Sequence, residues 1–359
     1  MEKEDKTGML DLIVHPAFCV KDGVILQANQ PASQRLVEIG TQISALIKTG
    51  SEEYADFSDG CLYLTLCISG QDCGASVSKV DGMDVFILEQ DADHAELRAM
   101  ALAAKELRAP LASVMTIADR LFPLLDQQEN SAADEQIARI NRGLFQMLRV
   151  ISNMSDASSY TEAAANTETL DICAVLDEIF QKAQTLVTHT GIELNFSNLP
   201  SPIYCLVDEA KIERAIYNIL SNALKFTPKG GFINAKLVRR GNKLYLSVQD
   251  SGSGVPSRLL GSIYARFQRE PAVEDVRFGI GLGMVLIRSA AALHGGTVLI
   301  DQPTGQGTRI TMSMEIRQSK STTLRSPMHK IDYAGERDHG LIELSESLPV
   351  KLYKKENIN

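Results

Sequence analysis

The spacing of apolar positions along this chain changes twice, and each change predicts a different architecture. From the N-terminus to about residue 90 the apolar residues come in short runs: Leu10-Asp-Leu-Ile-Val, Ala17-Phe-Cys-Val, Val24-Ile-Leu, Cys61-Leu-Tyr-Leu-Thr-Leu-Cys-Ile and Met83-Asp-Val-Phe-Ile-Leu. Short runs bounded by Gly, Asp or Pro predict strands. Lys21-Asp-Gly23 predicts a hairpin turn between two of them. Between residues 30 and 48 the pattern turns helical. Residues 1–90 are therefore expected to form a small mixed α/β sensor domain.

From 91 to 162 the period lengthens to seven. Leu97, Ala104, Leu111, Ala118 and Leu125 form one register, with Met100, Leu107, Val114 and Leu121 three positions later. A second run has Ile137, Leu144 and Ile151, accompanied by Ile140, Met147 and Met154. Gln127-Gln-Glu-Asn-Ser connects the two. Such heptads predict a helical hairpin. One hairpin leaves apolar surface uncovered, so a homodimer with a four-helix bundle is expected, rather than two core helices of a monomer. Pro110 removes a hydrogen bond inside the first run and is expected to bend that helix.

From 166 to 316 strands and helices mix. A strand-like pair and a helix open at Leu170, and Ile192–Phe196 and Ile203–Val207 read as strands. Asp208 is placed to cap a helix running through Leu224. Lys243–Gln249 alternates as a strand and delivers Asp250 at its end. Thr297–Ile300 and Gly305–Met312 predict a closing hairpin. The tail, 317–359, is mixed in charge with some apolar alternation over Leu341–Tyr353. Packing on the preceding domain, partner recruitment and disorder all remain open for it.

Composition adds mainly exclusions. A chain of 359 residues suits two or three domains. A net charge of -9 argues against nucleic-acid binding through a basic surface. No apolar run is long enough for a membrane span, and the charged start Met-Glu-Lys-Glu-Asp-Lys has no apolar signal core behind it. A cytoplasmic location is expected. Six cysteines are too few for a disulfide scaffold. Cys61, Cys67 and Cys73 are spaced by six, but no CxxC pair or nearby histidine joins them, so buried strand positions are expected rather than a metal site.

The candidate chemistry lies in three clusters. The first is Asn218-Ile-Leu-Ser-Asn222-Ala-Leu-Lys225-Phe-Thr-Pro. Asn218 and Asn222 are i and i+4 on a predicted helix, so two amides share a face that can coordinate a hydrated Mg2+. Lys225, one turn on, would face phosphate charge. The second cluster is Asp250-Ser-Gly252-Ser-Gly254, where glycines permit close approach to a base. The third, Gly279-Ile-Gly281-Leu282-Gly283, feeds a helix whose free N–H groups suit phosphate. A dinucleotide-binding turn is disfavoured, because no strand leads directly into it.

Together these clusters resemble the nucleotide pocket of sensor histidine kinases, the first cluster as the N-box and the second as the G1 box, in the family's order. Ala104-Lys105-Glu106-Leu107-Arg108-Ala109-Pro110-Leu111 resembles that family's H-box, and Tyr264-Ala-Arg266-Phe267 its F-box. The resemblance covers about residues 91–316. It implies an α+β multidomain protein: a PAS-like N-terminal domain (1–90), a dimerisation hairpin (91–162) and an α/β sandwich (166–316) of the kind shared with gyrase, Hsp90 and MutL ATPases. It implies ATP and Mg2+ as cofactors, with Asn222 as the main metal ligand and Asn218 assisting. Asp250 would accept the adenine amino hydrogens, Thr308 would lie near the adenine, and Val255–Phe278 would be the ATP lid. A response regulator or partner kinase is the implied partner.

The chain departs from the family at two places. Lys105 stands where the phosphoacceptor histidine belongs, and Ala109 where a Thr or Asn positions water for dephosphorylation. A lysine with pKa near ~10.4 is almost wholly protonated at neutral pH and has no lone pair for attack. Glu106, whose family counterpart helps deprotonate the imidazole, would favour that inert form. The expectation is a degenerate kinase that binds ATP and regulates. The alternatives are a kinase using another acceptor, such as His94 eleven residues earlier or a partner in trans, a scaffold sequestering a response regulator or kinase, and an ATPase clamp. The clamp lacks a candidate base, since Asn218 occupies the position where those ATPases place a Glu.

Overall fold

The structure, a computed structural model, describes residues 10, 13–89, 91–125, 131–162, 166–255, 282–302, 306–317 and 337–358. The N-terminal domain contains β1 (Ala17–Lys21), β2 (Val24–Ala28), a short helix α1 (Gln30–Gln34), β3 (Ile47–Thr49), α2 (Ser51–Ala55), β4 (Cys61–Ile68), β5 (Gln71–Val80) and β6 (Met83–Leu88). The expected turn joins β1 to β2, with Asp22 and Gly23 both at positive φ, as a two-residue hairpin of this twist requires. The run at Leu10 is not a strand: Leu10 is helical, and Ile13 and Val14 lie in no strand. Phe18 and Phe86 stack in this domain's core with centroids 4.8 Å apart.

The stem is two long helices packed against each other, α3 (Asp91–Leu125) and α4 (Ser131–Glu162), and α3 continues through Pro110. The connection at 126–130 lies outside the described residues. The heptad splits cleanly in burial. Ala104, Leu111, Ala118, Ile137, Leu144 and Ile151 are buried, whereas Leu107, Val114, Ile140 and Met147 are about half exposed.

The third part comprises β7 (Glu168–Asp171), α5 (Ile172–Val187), β8 (Glu193–Ser197), β9 (Tyr204–Val207), α6 (Glu209–Phe226), β10 (Phe232–Arg240), β11 (Lys243–Asp250), α7 (Leu282–Leu293), β12 (Val298–Asp301) and β13 (Arg309–Glu315). Burial alternates along β11 and over the first six residues of β10, which gives their sheet one covered face. The expected strands and closing hairpin are present, with Val298 opposite Met312.

The two sheets are one. Strand order runs β2-β1-β6-β5-β4-β12-β13-β11-β10-β8, with β3 beside β4. The joint is an antiparallel pairing of β4 with β12, setting Tyr63 opposite Val298 and Cys61 opposite Ile300. β4 is buried on both faces: Leu62, Leu64 and Leu66 join the N-terminal core, while Cys61 and Tyr63 join the core of the third part. Cys61 and Cys67 lie on β4 but Cys73 lies on β5, opposite Leu66 and against the N-terminal core. All six cysteines are free, and no metal-holding group of His, Cys, Asp or Glu exists among the described residues.

The tail is folded where it is described. Residues 337–358 carry a short helix α8 (His339–Glu343) and a 3-10 turn (Val350–Tyr353). Its residues Leu341, Ile342, Leu344, Leu348 and Tyr353 are buried. No described helix is long and apolar enough to cross a membrane.

Candidate nucleotide site

The site is built where the end of β11, the α6 face and the start of α7 meet. α6 begins as expected, with Asp208 Oδ1 accepting from the Lys211 N–H at 3.2 Å. Its buried face fixes which polar residues face the site. Asn218 is almost fully buried, and its Nδ2 donates to the Arg214 carbonyl at 2.8 Å. A Cβ at Gly283 would lie 2.9 Å from Asn218 Oδ1, so a glycine there lets α7 approach α6 closely. Asn222 is half-buried, and its Nδ2 sits 4.0 Å from Met284 Sδ. Its carbonyl oxygen is the kind of hard donor that suits Mg2+. Of the two amides, Asn222 is the more exposed, whereas Asn218 is buried beneath the α6 surface.

Asp250 is only 6% exposed at the end of β11. Its Oδ1 accepts from the Gly252 N–H at 2.8 Å and the Thr308 N–H at 3.2 Å. Burial pushes this carboxyl above the ordinary range, and the backbone N–H groups of Gly252, Thr308 and Asp250 itself oppose that rise. Gly307 was not singled out by sequence. Its φ is +71°, and any side chain there would strike the Asp250 carbonyl, so a glycine is required to floor the site. The signal was available as a glycine preceding Thr308 in a predicted hairpin. Gly254 packs against Gln302, whose Nε2 donates to the Val255 carbonyl at 2.9 Å.

Leu282 is buried with Val285 and Leu286 against Met100 and Met154 of the stem, so the start of α7 touches both stem helices. Gly279, Gly281, the F-box-like Tyr264–Phe267 and the lid from residue 256 to 278 lie outside the described residues. Lys225 does not stand free for phosphate: its Nζ pairs with Glu346 of the tail. On the stem, Lys105, Glu106 and Ala109 are exposed. His94 lies on α3, but its side chain is outside the described set.

His294 ends α7 as a structural group. Its Nδ1–H donates to the Ala290 carbonyl at 2.7 Å, and its Nε2 accepts from the Asp208 N–H at 3.0 Å. Burial holds it below the usual histidine range, which keeps that neutral tautomer.

Residues 207–318 match the family described as histidine kinase-, DNA gyrase B-, and HSP90-like ATPase. Beyond that domain, an uncharacterised sensor-like histidine kinase of Rhizobium meliloti is 27% identical over 277 residues, covering 72% of this chain and 52% of the relative. Over residues 207–318 the chain thus carries a domain of that ATPase family, and the relatives it resembles over a longer span are sensor histidine kinases. The sensor histidine kinase WalK of Bacillus subtilis is 25% identical, over 67% of this chain and 41% of WalK. This histidine kinase relative therefore spans about half or less of the length of these curated proteins. Among solved structures, full-length ShkA in complex with AMPPNP is 22% identical with a TM-score of 0.49, covering 62% of this chain and 47% of ShkA. ThkA in complex with the response regulator TrrA is 14% identical with a TM-score of 0.43, covering 84% and 96%.

Proposed function

We propose that this histidine-kinase relative binds ATP with Mg2+ and works as a degenerate kinase, an ATP-dependent regulator of a response regulator or partner kinase. Asp250 carries the reading. It is a carboxylate only 6% exposed, with Oδ1 fixed by the Gly252 and Thr308 N–H groups. Such a carboxylate has acceptor sites beyond those two bonds, and a ligand donor at them would offset the cost of its burial. The adenine amino group would supply that donor.

Around that anchor, Gly252, Gly254 and Thr308 would shape the adenine end. Gly279, Gly281, Leu282 and Gly283 would lead the α7 N-terminus toward the phosphates. Asn222 would offer its amide oxygen to the metal, with Asn218 positioning the helix. When bound, the metal would neutralise phosphate charge; this chain's own residues hold and orient the nucleotide. The stem would pair two copies through its uncovered heptad face. The N-terminal domain is read as a degenerate PAS-like sensor on its mixed layout, and the location as cytoplasmic.

The deciding feature for catalysis is Lys105, exposed on α3. A lysine there does not offer the imidazole nitrogen that would take the phosphoryl group. The test is incubation of the purified chain with γ-labelled ATP and Mg2+, read by gel and mass spectrometry, with nucleotide binding measured in parallel. Binding without label is expected. Label on His94 would overturn the degenerate reading in favour of a relocated acceptor. Lys105→His should restore label wherever the remaining geometry is intact.

A further inference from the structure

Residues 337–358 lie beyond the matched ATPase domain, yet they fill the groove between stem helix α4 and helix α6. Glu343 is fully buried and pairs with Arg214 of α6 at 2.9 Å and with Arg149 of α4 at 3.5 Å. Arg142 donates to the Ser345 and Glu346 carbonyls at 2.9 and 2.8 Å, and Asn141 to the Tyr353 carbonyl at 3.0 Å. Tyr353 packs edge-on against Phe145 at 5.5 Å. The tail is thus fixed from both sides before its most informative contact is considered.

That contact is Glu346. Its carboxylate lies 3.2 Å from Arg149 Nη1 and pairs with Lys225 Nζ. Lys225 follows Asn218 by seven positions and Asn222 by three, so it shares their face of α6. We propose that Glu346 belongs to the nucleotide site, where it competes with the terminal phosphates for Lys225 and so discriminates by phosphate-chain length. The proposal rests on the ATP-binding reading above.

The exchange has a low cost on the protein side. Glu346 loses Lys225 but keeps Arg149, so no buried carboxylate is stranded. Burial raises the Glu346 carboxyl, but Arg149 and Lys225 outweigh it and hold the group below its ordinary range. It is therefore an anion at neutral pH. A nucleoside without phosphates has no claim on Lys225 and leaves the tail undisturbed. A triphosphate draws Lys225 away and loosens the tail's hold on α6.

The test is calorimetric titration of the full chain, wild type and Glu346→Gln, with MgATP and with adenosine. Removing the competing carboxylate should tighten MgATP roughly three- to tenfold, the scale of one ion pair with a partly screened cation, and leave adenosine unchanged. Equal MgATP affinity in the two proteins, with adenosine bound by both, overturns the proposal and leaves the nucleotide reading standing. Failure of either protein to bind either ligand overturns the nucleotide reading and this proposal with it. Amide hydrogen exchange over residues 338–353 gives a second readout in the wild type. Faster exchange with MgATP than with adenosine is expected, and identical protection would refute the coupling.

Discussion

At the scale of single residues, the candidate site separates binding from stability at Asp250. Its folded pKa is raised by burial, so its contribution to stability is fully present below the unfolded value and is lost as pH rises through the folded one. At neutral pH the ionised carboxylate therefore opposes folding. Asp250→Asn should melt at the same temperature or higher at pH 7, with the advantage shrinking toward pH 4 in thermal unfolding across that range. Binding should move the other way. Oδ1 must stay an acceptor for the Gly252 and Thr308 N–H groups, so the new NH2 lands where the adenine amino group brings its own hydrogens. Two donors face each other, and nucleotide affinity should fall about tenfold to a hundredfold. Asp250, Asn218 and Asn222 were legible because spacing alone places them on one strand end and one helix face. Gly307 and Glu346 were not, since each matters through a residue far away in the chain.

At the scale of elements, local pattern found nearly everything that local physics decides. The Asp208 cap, the alternation of β11 and the heptads of the stem were all readable, because period and capping are set by neighbours in sequence. The stem shows what such a pattern leaves unsaid. Leu107, Val114, Ile140 and Met147 are 48% to 51% exposed, although a heptad calls for burial of its second register. The tail covers α4 through Asn141, Phe145 and Arg149, so the opposite face with Ile140 and Met147 remains open to a second copy. Val114→Glu would place an unpaired charge in that seam. Sedimentation should show the wild type as a dimer and the variant's dissociation constant raised at least about thirtyfold, with helix content unchanged by circular dichroism. A wild-type chain that sediments as a monomer at every concentration would remove the dimer from the reading.

At the scale of the molecule, the unforeseen feature is that the N-terminal domain extends the sheet of the ATP-binding domain. The chain held one clue. Cys61-Leu-Tyr-Leu-Thr-Leu-Cys-Ile is apolar almost without alternation, the pattern of a strand covered on both faces rather than one. It could not say which strand would lie beside it, because the partner β12 is more than two hundred residues away. Side chains reinforce the joint. Arg288 of α7 pairs with Glu89 at 2.6 Å and lies 5.4 Å from the Tyr63 ring centroid. Glu53 of α2 is 9% exposed at its side chain and accepts from Lys243 Nζ at 2.8 and 2.9 Å, from Tyr245 OH at 3.2 Å and from Ser313 Oγ at 3.1 Å. One carboxylate of the N-terminal domain thus gathers three donors from β11 and β13. Removing it leaves Lys243 mostly buried without that partner, a loss of about 3 kcal/mol for a pair of this burial. The backbone pairing at β4 and β12 would then have to hold the two domains alone. Calorimetry should show one cooperative unfolding transition for the wild type, and in Glu53→Ala an earlier transition for the N-terminal domain that separates from the rest. A single transition in both proteins, shifted by less than a degree, would mean that the continuous sheet itself carries the coupling and that Glu53 merely decorates it.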